Sequence, residues 1–120
     1  MAISVTTSTT GRVSVVAPLG EHDIATAPAL RRVLYELTTD VPLVVLDFAE
    51  TTFLDSTVLG VLVSACKRSA AQSHRVIGVN AHGIVLKALQ ITGIGDLLQV
   101  AETVATLDSE IEALLVRQRP

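Results

Sequence analysis

The residues with the most chemical promise stand in one run, Phe53-Leu54-Asp55-Ser56-Thr57-Val58-Leu59-Gly60, where a loop ends and an almost wholly apolar helix begins. A hydroxyl beside an acid is well placed there to accept a phosphoryl group. Helix N-termini leave backbone N–H groups unpaired and carry partial positive charge, so a phosphate is tolerated without unfolding the chain. The same residues also fit a plainer role, because Ser and Asp are both preferred N-caps. On spacing alone Ser56 is most simply the cap, a duty compatible with accepting phosphate. Asp55 either orients the hydroxyl or caps the helix, with capping favoured. Thr57 is either a neighbouring contact, the favoured reading, or a second and weaker acceptor.

Other candidates carry less. Asp47 closes the apolar run Leu43-Val44-Val45-Leu46 and invites comparison with receiver domains, where an aspartate after a central strand takes the phosphoryl group. Such domains also need an acidic pair after the first strand to hold Mg²⁺. Thr6 and Thr7 occupy that place, so a solvated strand end is preferred and a receiver-like acceptor at Asp47 is kept as an alternative. His22, His74 and His82 are far apart and lack metal-ligand spacing, which reads as three loop or surface histidines and no metal site. No Gly-x-Ser-x-Gly elbow surrounds Ser56, and Gly93-Ile94-Gly95 lacks the third glycine and the strand-to-helix setting of a dinucleotide loop. No catalytic constellation and no cofactor site emerge.

The elements that must position Ser56 follow from periodicity and punctuation. Ile3 to Thr7 alternates, Thr10-Gly11 offers a turn and Val13 to Leu19 reads as a second strand, giving an N-terminal hairpin. Thr26 is placed to cap a helix with Pro28 in its first turn and Leu30, Val33, Leu34 and Leu37 on one face, ending near Thr38-Thr39-Asp40. Leu43 to Leu46 has no alternation, as in a central strand covered on both faces. The helix from Ser56 to about Ala71 carries apolar residues around most of its first turns and must be deeply packed there. Arg75 to Val79 reads as a strand, Gly83 to Thr92 as a helix stopped by Gly93, and Leu97 to Val100 as a last strand. From Thr103, Val104, Leu107, Ile111, Leu114 and Leu115 recur at helical spacing, predicting an amphipathic helix that closes the domain, with 117–120 a frayed tail. Strands joined through helices are expected to be parallel with right-handed crossovers. The expectation is an α/β fold: one domain over 1–120 with a mixed five-stranded sheet and four helices.

Composition narrows the function classes. With 120 residues, 49% of them apolar, the chain can build a sizeable core. A formal charge of −3 and only Tyr35, Phe48 and Phe53 as aromatics offer neither the basic face nor the stacking platforms of general nucleic-acid binding. Arg31-Arg32 and Lys67-Arg68 read as solvated helix faces. Cys66 has no partner for a disulfide and reads as a buried thiol in a reducing compartment. Neither a signal peptide nor a membrane span is expected, which predicts a soluble cytoplasmic protein.

Three segments recur in a telling order: Gly20-Glu21-His22-Asp23-Ile24-Ala25-Thr26-Ala27, then Phe53 to Gly60, then Val85-Leu86-Lys87-Ala88-Leu89-Gln90-Ile91-Thr92-Gly93-Ile94. In that order, and in its plan of strands and helices, the chain resembles the STAS-domain anti-sigma-factor antagonists over nearly its whole length. The first segment is similar to the family's Gly-Glu-apolar-Asp-x-x-Thr-Ala entry to its first helix. The second is similar to the phosphorylation motif Asp-Ser-Ser/Thr-Gly-Leu-Gly, and the third to the late helix ending in Thr-Gly-Leu. The resemblance implies a non-enzymatic binding protein with Ser56 phosphorylated by an anti-sigma factor/serine kinase and reset by a protein phosphatase. The unphosphorylated form would bind the anti-sigma factor and free the sigma factor, through a surface including Glu21, Asp23, Asp55, Ser56 and Thr57. A STAS module of a larger signalling assembly, or a small-ligand sensor for a nucleotide with a silent serine, is the alternative. Two positions depart from the pattern. Val58 stands where the family has glycine, and its β-branch narrows the backbone options beside the acceptor. His22 stands where the family has an apolar residue.

Overall fold

The computed structural model describes residues 3–98. Strands β1 (Ile3–Thr7) and β2 (Val13–Pro18) form the expected hairpin, antiparallel with Val5 opposite Val16. Gly11 turns the chain at φ 72°, a left-handed conformation that glycine adopts without steric cost. A short strand β3 (Gly20–His22) leads through a tight loop to helix α1 (Ala27–Asp40), which carries Pro28 in its first turn and buries Leu30 and Leu34. Strand β4 (Leu43–Asp47) follows, then β5 (Thr51–Leu54), helix α2 (Ser56–Ala71), strand β6 (Arg75–Val79), helix α3 (Gly83–Thr92) and the single-turn helix α4 (Ile94–Leu98).

The main sheet has the order β1-β2-β4-β6, with β4 parallel to both β2 and β6 and the hairpin adding β1 as the antiparallel strand. The α/β class, the mixed sheet and the parallel strands linked by helices are as the sequence predicts. The short pair β3 and β5 forms a separate parallel ladder that periodicity did not reveal. Leu97 and Leu98, read from sequence as the start of a fifth strand, instead end α4. Burial of Ile94 and Leu98 with Leu97 turned outward follows helical spacing rather than alternation. The predicted C-terminal helix, the tail 117–120 and residues 99–100 lie outside the described residues.

Helices α1 to α4 pack on one face of the sheet, where Leu30, Leu34, Val58, Leu62, Val85, Leu89 and Leu98 join Val16, Val44, Leu46 and Val76 in one core. Phe48 lies wholly buried in the same core. Arg68 ties α2 to α1, since its guanidinium lies 3.4 Å from the centroid of the Tyr35 ring and donates from Nε and Nη2 to Thr39 Oγ1. Arg31, Arg32 and Lys67 are exposed, as read from the sequence. Among the described residues no helix is long and apolar enough to cross a membrane.

Candidate functional site

The cap of α2 is Asp55, not Ser56. Asp55 sits in extended backbone, and its Oδ1 accepts the Val58 N–H at 3.0 Å while its carbonyl accepts the Leu59 N–H at 3.0 Å. An aspartate at this position satisfies a first-turn donor and places negative charge at the positive end of the helix. Ser56 thereby becomes the first helical residue, exposed, with Thr57 exposed beside it and Asp55 half-buried below.

Strand pairing brings the first-helix loop to the same place. His22 lies opposite Leu54 in the β3/β5 ladder, and the Asp55 N–H donates to the His22 carbonyl at 3.2 Å. Asp23 and Asp55, the next residues on each side, therefore leave the ladder together, with Ser56 one residue further along. The loop that follows is closed on itself. Asp23 Oδ1 accepts the Ala25 N–H at 2.9 Å, Thr26 Oγ1 accepts the Asp23 N–H at 3.0 Å, and the Asp23 carbonyl accepts the Ala27 N–H at 2.9 Å. Thr26 is the N-cap residue of α1 as predicted, but its hydroxyl bonds back to Asp23 and makes no side-chain cap bond. Such a self-bonded turn holds the Asp23 carboxylate in place without help from the core.

Glu21 and Asp23 are both exposed, so two acids face solvent near the half-buried Asp55 and the exposed Ser56. Two features of this surface were not legible as site residues in the sequence. Ile24, in the acidic loop, is 71% exposed, and Phe53, opposite Glu21 in the ladder, is 38% exposed. Gly60 lies one turn along α2 from Ser56, on its solvent side, with nothing within 4 Å of where a side chain would begin. No internal contact requires glycine there. The signal was present in its mid-helix position, where glycine is costly and calls for a reason.

Val58 behaves differently from what its β-branch beside the acceptor suggested. It is fully buried in the core, about 200° around the helix from Ser56 at 3.6 residues per turn. Its side chain lies in the core, on the far side of the helix from Ser56.

The remaining candidates are structural. Asp47 is not a solvated strand end: it is 3% exposed, and its Oδ1 accepts the Ala49 N–H and Asn80 Nδ2, each at 3.0 Å. That carboxylate holds the turn after β4 to the end of β6, a placement unlike an open phosphoryl acceptor. His22 is likewise buried, because β3 turns it under the ladder, while His74 Nδ1 meets the Thr38 carbonyl at 3.1 Å and exposed His82 Nε2 the Ala49 carbonyl at 2.9 Å. Among the described residues no group of three or more His, Cys, Asp or Glu is placed to hold a metal ion. Cys66 is buried, and that burial pushes its thiol up to about 11.

Comparison with known proteins agrees with this architecture. The chain is similar to the solved structure of an anti-sigma factor antagonist from Mycobacterium paratuberculosis, with 27% identity over 94% of each chain and a TM-score of 0.72. It also resembles SpoIIAA in its unphosphorylated form, with 21% identity, 99% of each chain covered and a TM-score of 0.75. The Bacillus cell fate determinant SpoIIAA in the phosphorylated form gives 22% identity over 98% of this chain and 100% of that one, with a TM-score of 0.69. No curated protein sequence matches the chain. The family model described as the STAS domain matches residues 4–107, and the chain accordingly belongs to the STAS-domain family.

Proposed function

We propose that this protein is an anti-sigma-factor antagonist whose binding is governed by phosphorylation of Ser56. One observation carries the reading: Ser56 is exposed at the first position of α2, and the bond from Asp55 N–H to the His22 carbonyl sets the Asp23 loop beside it. A solved relative of similar fold exists in unphosphorylated and phosphorylated forms, which supports a fold that keeps its shape through the modification. The 27% identical mycobacterial protein supports the antagonist role.

The physical mechanism is a charge gate. A phosphate on Ser56 adds about 1.5 to 2 negative charges to a surface that already holds Asp55, Glu21 and Asp23. The helix N-terminus accommodates it, so binding is lost through charge and bulk at the interface and not through refolding. In the unphosphorylated form Asp23, Ser56 and Thr57 meet an anti-sigma factor/serine kinase, and the sigma factor is freed. A protein phosphatase acting on phosphoserine 56 restores that form. The chain is a kinase substrate and a binding protein.

The test compares wild type, Ser56→Ala and Ser56→Asp for affinity to candidate anti-sigma kinases, with modification mapped by mass spectrometry after incubation with kinase and ATP. Ser56→Ala is expected to bind and remain unmodified, and Ser56→Asp to bind at least about tenfold more weakly, with a loss that shrinks at high salt. Equal affinity of all three overturns the gate.

A further inference from the structure

Helices α1 and α2 lie side by side and run in the same sense, since each returns the chain between parallel strands. Their solvent side is charged unequally along its length. Where both helices begin stand Glu21, Asp23 and Asp55, with Ile24 71% exposed among them. About two turns further along, Arg31 and Arg68 flank a notch of about 40 Å³ walled by Leu34, Tyr35, Val61 and Ala65. Exposed Ser64 also lines it, and among the described residues no Asp or Glu does. Arg68 is held in place there, stacked on the Tyr35 ring and bonded to Thr39 Oγ1. The notch has room for about three waters or for the tip of one aliphatic side chain. An isoleucine set among acids and an apolar notch set between arginines are complementary in charge and kind. They do not meet within one molecule: bonds between Asp23, Ala25 and Thr26 close the Ile24 loop on itself, and about 12 Å of helix separates Ser56 from Ser64.

We propose that two copies of this chain pair through this side, antiparallel and two-fold symmetric, with Ile24 of each seated in the notch of the other. Asp23 of one copy then faces Arg31 and Arg68 of the second. A two-fold contact places the same patch on both partners, so the patch must complement itself. Antiparallel packing achieves that with one operation, because it sets each acidic end on a basic one, whereas parallel packing opposes like charges. Gly60 fits the same geometry. It lies midway between Ser56 and Ser64 on the solvent side of α2, where the axis passes and the two helices come closest, and open space surrounds the position of its absent side chain. The loop that carries Ile24 is already ordered by its own bonds, so little freedom is lost on docking. Pairing covers Ser56 and thereby excludes any partner that reads it. That consequence alone rests on the function proposed above, and the pairing stands apart from it.

Sedimentation velocity on the full chain alone, at low salt and from about 1 μM to about 1 mM, tests this without kinase, partner or phosphate, so its outcome is separate from that of the Ser56 gate. The mass is expected to rise towards that of a dimer with concentration. Arg31→Glu and Asp23→Arg, each checked for native circular dichroism, are expected to weaken self-association at least about tenfold by opposing like charges. Combining them in one chain restores the complementarity and is expected to return the dissociation constant to within about threefold of wild type, a rescue that damage to the fold does not produce. In a Cys66→Ala background, a chain carrying Ile24→Cys is mixed with one carrying Ser64→Cys under diamide. The mixed disulfide is expected to form faster than either same-site disulfide. A wild type that stays monomeric at the highest concentration overturns the proposal, as does a dimer indifferent to both charge reversals. Failure of the combined variant to regain affinity, or same-site disulfides that outrun the mixed one, overturns it equally.

Discussion

At the scale of single residues, one aspartate separates two jobs that the sequence left merged. Asp55 does the capping, which releases the Ser56 hydroxyl from any structural duty at the helix start. Replacing Asp55 with Ala is expected to cost about 1 kcal/mol of unfolding free energy, read from the urea midpoint, while Asp55→Asn keeps the cap and stays near wild type. Asp55→Asn is therefore the variant that reports on charge alone in partner binding. Asp47 and His22 show why single residues were misjudged: each stands beside a loop in sequence, but its partners come from distant strands. Asn80 reaches Asp47 only once β4 and β6 are paired, and His22 is covered only because β3 pairs with β5. Such partners leave no local pattern.

At the scale of elements, α2 carries two opposite errors of composition that follow its two sides. Val58 lies on the core side and Gly60 on the solvent side. Restoring the family's glycine with Val58→Gly is expected to destabilise by about 3 kcal/mol, from lost burial of a valine side chain plus glycine's helix penalty. Gly60→Ala is expected to stabilise by up to about 1 kcal/mol, because the added methyl meets nothing. If Gly60 is kept for close approach of a partner, that same variant gains thermal stability and loses affinity, a split that calorimetry and titration measure together. The bounds of α1, α2 and α3 were legible in advance because Pro28, Asp55-Ser56 and Gly93, left-handed at φ 75°, punctuate them. Strands β3 and β5 were not. With three and four residues they are too short to show alternation, and they exist by pairing with each other. It is this unforeseen ladder that joins the loop of Asp23 to the start of α2.

For the molecule as a whole, the buried thiol makes stability depend on pH on the alkaline side. Cys66 is raised from an ordinary 9.0 to about 11 by desolvation. The unfolded chain thus loses this proton more readily than the native one, so the contribution of Cys66 is complete below pH 9 and is lost as pH climbs from about 9 through about 11. Urea unfolding across that window is expected to show a declining free energy that Cys66→Ala flattens, and native Cys66 is expected to resist alkylation at pH 8 until the protein opens. The sheet order has a different kind of consequence, in time. Val13 pairs with Leu43, and Leu43 with Arg75, so each parallel rung must wait for an intervening helix to be gathered in. Among the described strands only the β1/β2 hairpin joins neighbours in sequence. Closing long loops before any ladder bond forms is the slow event in folding, so the hairpin can assemble in microseconds while the junction that presents Ser56 is completed only when β3 finds β5. In a newly made chain the junction at Ser56 is thus among the later features to mature, and the kinase proposed to read it would act on finished molecules.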